Sequence, residues 1–575
     1  MGFSRILPIV RWLPSYERAK LKKDLPAGLT TAVLLIPQGM AYAMLAGLPP
    51  ITGLYAAVVP LFIYALLGTS RQLAIGPVAA DSLLVGVAVM AMAEQGTDEY
   101  AGLVLVLCAL VGAIQFALGL LRAGRLVSFL SQPVITGFMS AAALVIFASQ
   151  AKYLLGAPIP STPRLHEWAG GAAAHIASTH ALTLGIGIGA SLVLVVLRKR
   201  KSRIPGALAV VVVGTLLSWA LGFEAMGVAV VGTVPAGLPA FALPAVNSPS
   251  VLALLPAAFG IALVGYMEAI GVGKEFARKG RYAIDAGQEL FALGTCNMVG
   301  SCFGGYPVTA GLSRSAVHAE SGATTQMAGV VTGIALCLSL LFLTPLFYHL
   351  PLTVLAAIVM TAVVRLIDVK GLRRLWRVRK SDALLFLFTF TVTCFVGMQS
   401  GIAAGVVASL VLFVQRTTQP HHAVLGRLQG TQNYRNLRYF PDAIVTPGVA
   451  IWRFDASFYF ANADFFRDQV DALLASGTGE EVCALVLDAS GINDLDASGE
   501  AMLQGIVKRF EDTGIILRMA NVKGPVRHVM ALGGLRDAIG EDNFFFSVHE
   551  AVLATERCLA ESSENTKSSS EAEDV

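Results

Sequence analysis

The chain has 575 residues, is 55% hydrophobic and only 14% charged, with a mean hydropathy of +0.68. Soluble globular domains carry about 25% charge, so a wholly soluble chain is excluded. A net charge of +4 is too small to imply nucleic acid, and seven cysteines without metal or disulfide spacing imply neither a metal site nor a disulfide framework.

The charge deficit is uneven. From Leu25 to about Val414 one apolar run follows another, after which the chain turns polar. A long membrane part and a shorter soluble part are therefore expected. The first apolar run follows a charged, amphipathic lead from Arg5 to Lys23 with no cleavage site, so the first span is expected to remain in the mature protein.

A spanning helix needs about 20 apolar residues, fewer where it is broken inside the bilayer. About fourteen runs qualify: 26–46, 51–68, 76–93, 101–121, 127–149, 181–197, 205–221, 250–272, 284–302, 309–317, 324–346, 351–367, 382–397 and 400–415. With the N-terminus inside, an even count puts Arg71, Arg122 and Arg125, Arg198 to Lys201, Lys274 to Arg281 and the dense run Arg365 to Lys380 in the cytosol. The opposite loops hold Glu94, Asp98, Glu99 and the nearly charge-free segment 223–248. This is the positive-inside pattern, and both termini are expected to be cytosolic.

Two of the short runs match. Gly76-Pro77-Val78-Ala79-Ala80-Asp81-Ser82 opens the third, and Tyr306-Pro307-Val308-Thr309-Ala310-Gly311-Leu312-Ser313 opens the tenth. They lie seven spans apart, an odd number, so the two halves are expected to be inverted. Matched interruptions in two halves mark the binding site of a secondary transporter. Irregular backbone survives in a bilayer only where protein or water satisfies it. Half-helix N-termini present free N–H groups and positive dipole ends, which attract anions.

Arg314 follows Ser313 at the start of the tenth run. An intramembrane arginine is costly and marks a functional site; its donor fork suits an oxyanion. Gln38 and Tyr42, four residues apart in the first span, share a helix face just after Pro37 and add an amide and a phenol. Glu268 sits deep in the eighth run. A carboxylate alone in apolar surroundings takes up a proton readily, as proton coupling requires, or it pairs with Arg314 when no anion is bound. Asp81 and Glu289 are weaker candidates: Asp81 for a polar cavity, Glu289 for the cytosolic interface. No nucleophile–base constellation, metal spacing or phosphate loop appears, so neither an enzyme nor a cofactor is expected.

The string Ile36-Pro37-Gln38-Gly39-Met40-Ala41-Tyr42-Ala43-Met44-Leu45-Ala46-Gly47-Leu48-Pro49-Pro50, with Gly53-Leu54-Tyr55 after it, resembles the opening signature of the sulfate permease family. Gly311-Leu312-Ser313-Arg314-Ser315 resembles that family's tenth-span motif. The resemblance implies an α-helical polytopic membrane protein in a seven-plus-seven inverted repeat, with core and gate domains. It implies a substrate site at Gln38, Tyr42, Val78, Leu312, Ser313 and Arg314, and Glu268 as the carboxylate of proton-coupled sulfate carriers. A sodium–bicarbonate branch is expected to carry an aspartate where this chain has Glu268.

Beyond Gly448 the pattern alternates between strand and helix. Val449 to Phe454, Cys483 to Asp488 and Gly514 to Met519 read as strands, and Asn462 to Ala475 and Ser498 to Glu511 as helices. This α/β layer resembles a STAS domain. Its loop Asn493-Asp494-Leu495-Asp496-Ala497-Ser498-Gly499 matches the phosphorylated serine of anti-sigma factor antagonists at Ser498, with Ala497 in place of the preceding serine. The plainer expectation is that Ser498 caps the following helix.

The expected organisation is a cytosolic segment 1–24, a transporter domain 25–417, a linker 418–447, a STAS domain 448–560 and a disordered tail 561–575. The expected function is proton-coupled uptake of sulfate or a similar anion across the cell (inner) membrane by a homodimer. The alternatives are a bicarbonate or C4-dicarboxylate carrier of the same fold, or a membrane scaffold acting through the STAS domain.

Overall fold

The computed structural model describes residues 7–122, 131–160, 162, 164–200, 206–245, 248–475 and 482–573. Arg125, Lys201 and the first residues of the runs beginning at 127 and 205 lie outside them. The chain divides into two compact units, Met1–Ser409 and Leu410–Val575.

A helix covers most of each of the fourteen apolar runs. In chain order these are α1 (Arg18–Leu45), α2 (Thr52–Leu67), α3 (Ala79–Met90), α4 (Asp98–Leu120) and α5 (Gln132–Leu155). After a connecting helix α6 (Leu165–His175) come α7 (Ala181–Lys199), α8 (Gly206–Leu221), α9 (Ser248–Gly280) and α10 (Ala286–Ser301). The last group is α11 (Leu312–Glu320), α12 (Met327–Leu338), α13 (Leu352–Val363), the basic helix α14 (Val369–Val378), α15 (Lys380–Phe395) and α16 (Met398–Thr418). Among the described residues, eight helices are long and apolar enough to cross a membrane. Helix ends follow local chemistry. Thr97 Oγ1 accepts from Tyr100 N to start α4, Asp285 accepts from Gly287 N and Gln288 N to start α10, and left-handed Gly156 ends α5.

Two groups of helices pack most extensively within themselves. In one, α10 lies along α4 and α2, α12 along α1, and α9 along α4. In the other, α5 lies against α15 and α13, and α13 against α7. The α4–α10 contact is close because Gly112 and Gly294 face it: a Cβ on Gly112 would stand 2.4 Å from Met298 N, and one on Gly294 2.3 Å from Phe116 N. Small residues let helix backbones approach where no hydrophobic drive separates lipid from protein.

The second unit carries a six-stranded sheet, β3 (His422–Arg427), β4 (Tyr434–Asn436), β5 (Val449–Phe454), β6 (Ala484–Asp488), β7 (Ile516–Ala520) and β8 (Phe544–Phe545), in the order β4-β3-β5-β6-β7-β8. β5 to β8 run parallel, and β3 is antiparallel to both its neighbours. Helices α17 (Ala463–Ala475), α18 (Ala497–Thr513), α19 (Gly524–Leu532), α20 (Leu535–Ile539) and α21 (Val548–Glu573) complete it. Trp452, Phe454, Leu485, Leu487 and Met519 pack with Phe466, Leu503 and Phe510 on one face, while Ile451, Val486 and Ala520 pack with Val552 on the other. Strands buried on both faces read as continuous apolar runs, as β5 and β6 do.

Three expectations change here. The segment 418–447 is not merely a linker, because β3 and β4 add an antiparallel edge to the sheet. The tail is helical from Glu561 to Glu573, since extending an existing helix orders one residue per hydrogen bond gained; the last two residues lie outside the described chain. Asp496 caps α18 through Gly499 N, while Ser498 is exposed in the first turn.

Candidate functional site: two broken helices and a buried arginine

The two interrupted segments meet. β1 (Ile75–Gly76) and β2 (Thr309–Ala310) form a short antiparallel pair, with Ile75 opposite Ala310 and Gly76 opposite Thr309. Each strand leads at once into a half-length helix, β1 into α3 and β2 into α11. Pro77 and Pro307 lack an N–H and so cannot donate an intrahelical bond at these points. The first turns of α3 and α11 therefore carry N–H groups with no acceptor in their own helix.

Buried amides hold this irregular backbone. Asn297 of α10 accepts from Val308 N at 2.8 Å and donates to Val308 O at 3.2 Å and to Gln115 Oε1 at 2.9 Å. Gln115 in turn donates to Ala262 O of α9 at 3.0 Å. On the other side Ala74 N donates to Ser315 Oγ at 3.0 Å, and Gln326 donates to Ser70 O and Leu73 O. Gly311 N donates to Ala74 O at 3.2 Å, which ties the two segments together.

Arg314 is 1% exposed. Its Nη1 donates to Pro77 O at 2.6 Å, reaching from the start of one half-helix to the start of the other. Nε and Nη2 have no hydrogen-bond partner among the described residues. Gly311 permits this placement, since a Cβ there would stand 2.7 Å from both Cζ and Nη2 of Arg314. Tyr42, Tyr306 and Glu268 lie within electrostatic reach of the guanidinium. The expected Glu268–Arg314 ion pair is not formed among the described residues: the arginine is turned to the Pro77 carbonyl instead.

Other predicted residues fall around this point. Tyr42 is buried, and Gln38 on the same face of α1 has an Oε1 without a hydrogen-bond partner among the described residues. Val78 caps α3 beside the Pro77 carbonyl. Leu312 and Ser313 open α11 and are exposed, Leu312 at 58%. Glu289 stands in the first turn of α10, after its cap Asp285. It is fully buried, accepting from Tyr64 Oη at 2.7 Å, from Thr69 N and Oγ1 and from Ser70 N.

Sequence reasoning missed Asn297, Gln115 and Gln326, amides inside apolar runs. It also missed Asp24, fully buried and accepting from Thr324 N and Oγ1, Thr325 N and Oγ1, and Tyr16 Oη. Polar letters in or beside apolar strings were the available signal, but the partners that define their roles lie anywhere from 11 residues away, as for Asn297 and Val308, to 300 residues away, as for Asp24 and Thr324.

A model of the sulfate permease family matches residues 21–389, which takes in the broken helices and Arg314. The chain belongs to the sulfate permease family. A STAS domain model matches residues 440–551. The chain is 38% identical to sulfate transporter 4.1, chloroplastic, of Arabidopsis thaliana, over 95% of this chain and 82% of that one. It is 34% identical to a probable sulfate transporter of Mycobacterium tuberculosis, over 94% of this chain and 96% of the other. Among solved structures, murine solute carrier 26 family member A9, an anion transporter in the inward-facing state, matches with TM-score 0.88 and 28% identity, over 96% of this chain and 94% of that one. The transmembrane domain of a cyanobacterium bicarbonate transporter shares the fold, with TM-score 0.60 and 23% identity over 69% of this chain and 98% of the other. This member of the family is therefore a multi-pass membrane anion transporter with a STAS domain, and not an enzyme.

Proposed function

We propose that the chain carries sulfate into the cell together with protons, by alternating access. The observation that carries this reading is Arg314: a buried, permanent cation with two donor groups open, at the junction of two half-helix N-termini. Leaving buried donors unsatisfied costs about 1–3 kcal/mol each. An oxyanion held between the starts of α3 and α11 satisfies them and meets two positive helix ends. Gln38, Tyr42, Val78, Leu312 and Ser313 complete the binding surface. Sulfate is favoured because the relatives in Arabidopsis thaliana and Mycobacterium tuberculosis are named as sulfate transporters.

Glu268 supplies the proton site. Each charge crossing the membrane costs about 2.3 kcal/mol per 100 mV, so a dianion entering a negative cell meets about twice that. Protons offset it. In this reading the fourteen apolar runs span the bilayer as two inverted sets of seven. The group containing α1 to α4 and α9 to α12 moves against the group containing α5, α7, α8, α13 and α15. Both termini face the cytosol, the chain sits in the cell membrane, and STAS-bearing protomers pair as homodimers. The STAS domain organises or tunes the carrier.

The test is flux into proteoliposomes holding the purified chain. Labelled sulfate uptake should rise when the outside is made acidic, and unlabelled sulfate should compete better than bicarbonate or a C4-dicarboxylate. Uptake indifferent to the pH gradient rejects proton coupling; stronger competition by bicarbonate or dicarboxylate rejects sulfate.

A further inference from the structure

Among the described residues of the helical unit, three buried carboxylates have no cation bonded to them: Asp24, Glu289 and Asp81. Two are saturated by donors. Asp24 takes the Thr324, Thr325 and Tyr16 bonds, and Glu289 takes those of Tyr64, Thr69 and Ser70. Both carboxylates therefore have their oxygens occupied by protein donors. Asp81 differs. It is 2% exposed, and its Oδ1 has no hydrogen-bond partner among the described residues.

Its surroundings suit a group that changes charge. Asp81 stands in the first turn of α3, where the helix N-terminus favours a negative charge. Burial leaves Oδ1 without a donor among the described residues, so the ionised carboxylate lacks a hydrogen bond there. Neither state is locked. Oδ2 lies against α9: a Cβ on Gly265 would stand 2.8 Å from it and 3.4 Å from Thr309 Cβ. Glu268 is three residues from Gly265, on the same helix and one turn along. Around Asp81, the titratable neighbours are Glu268 on α9 and Tyr306 ahead of β2, with Arg314 and Tyr42 facing those two in turn. Lys152 of α5 lines a small cavity with Leu83, Val87 and Met90 farther along α3.

We propose that Asp81 is a second proton-carrying carboxylate of the transport site, so that one sulfate moves with two protons. This rests on the proton-coupled reading above and adds to it a site and a stoichiometry. One proton binds Asp81 and one binds Glu268 on the side of uptake; both leave on the other side with the anion. Charge bookkeeping then closes. Loaded, the site holds Arg314 as a cation, two neutral acids and a dianion, for a net charge of minus one. Empty, it holds Arg314 and two carboxylates, again minus one. Both reorientations carry the same charge, and the cycle is blind to membrane potential.

The experiment is a zero-flux balance in proteoliposomes holding the full chain, with the potential clamped by potassium and valinomycin. For two protons, a tenfold sulfate gradient is balanced by about half a pH unit, whatever the potential; for one proton it takes about one unit at zero potential and shifts when the potential is changed. Wild-type protein is expected to balance at half a unit, and Asp81→Asn at one unit with a new dependence on potential. A wild-type balance at one unit overturns the proposal even if Asp81→Asn does not fold. So does a folded Asp81→Asn protein, judged by its melting curve, that still balances at half a unit. Wild-type uptake that ignores the pH gradient instead removes the proton-coupled reading on which the proposal rests.

Discussion

Among the described residues, buried Arg314 makes one bond, to the Pro77 carbonyl, and has two donor groups without a partner. Removing a buried charge that binds a counter-charge costs about 2–5 kcal/mol, a loss of thirtyfold or more. Gly311→Ala tests the placement more finely, because its methyl would stand 2.7 Å from the guanidinium carbon. We expect that variant to melt like the wild type and to lose most sulfate uptake; unaltered uptake would mean the guanidinium does not work from this position. Asn297→Ala acts on support alone. It strips Val308 N–H and C=O of partners, at about 1–3 kcal/mol each, so the melting temperature of the purified protein should fall by several degrees. Arg314 and Glu268 were visible in the sequence because a charge inside an apolar string is too costly to persist without a role. Asn297 was not, since an amide in an apolar run is ordinary helix glue until its partner is known. Arg314 shows the same limit: opposite charges in one region do not fix which acceptor an arginine turns to, and here one donor meets the Pro77 carbonyl.

The broken helices were the most legible elements. Gly-Pro and Tyr-Pro openings at matching places announced β1 with α3 and β2 with α11, and the two segments meet in register. The β3–β4 hairpin was hidden because it is short and lies among polar residues, with only Ala423, Leu425 and Tyr434 buried among the apolar side chains of its strands. Its junction with β5 carries a pH dependence. Partial burial works to raise the Asp455 carboxyl, but bonds from Arg453 at 2.6 and 3.0 Å and from His421 at 2.7 Å outweigh it and hold the group below the usual carboxylate range. A lowered carboxyl contributes stability above about pH 4, and the contribution is lost as pH falls through its folded value. Asp455→Asn should therefore lower the melting temperature of the C-terminal unit at pH 6, and by a smaller amount at pH 3. An equal difference at both pH values would show that the bonds do not depend on the carboxylate. At α18 the cap is Asp496, which also accepts from Phe460 N at 2.9 Å. Asp496→Ala should cost about 1 kcal/mol of the stability of this unit, read from its denaturant midpoint.

For the whole molecule, composition foretold a membrane part followed by a soluble part, and the family matches divide the same way, at residues 21–389 and 440–551. What composition could not supply was the packing that makes a site from distant segments. Residues 75–77 and 309–314 meet through the β1–β2 pair and the Arg314–Pro77 bond, with Asn297, Gln115 and Gln326 holding the backbone around them. The central claim is that this junction binds the anion through Arg314. Its most direct test is equilibrium binding of sulfate to the purified full chain, followed by calorimetry, in wild-type and Arg314→Ala proteins with matching melting curves. Saturable binding to the wild type that disappears in Arg314→Ala is the predicted result. Equal sulfate affinity in the two proteins would contradict it.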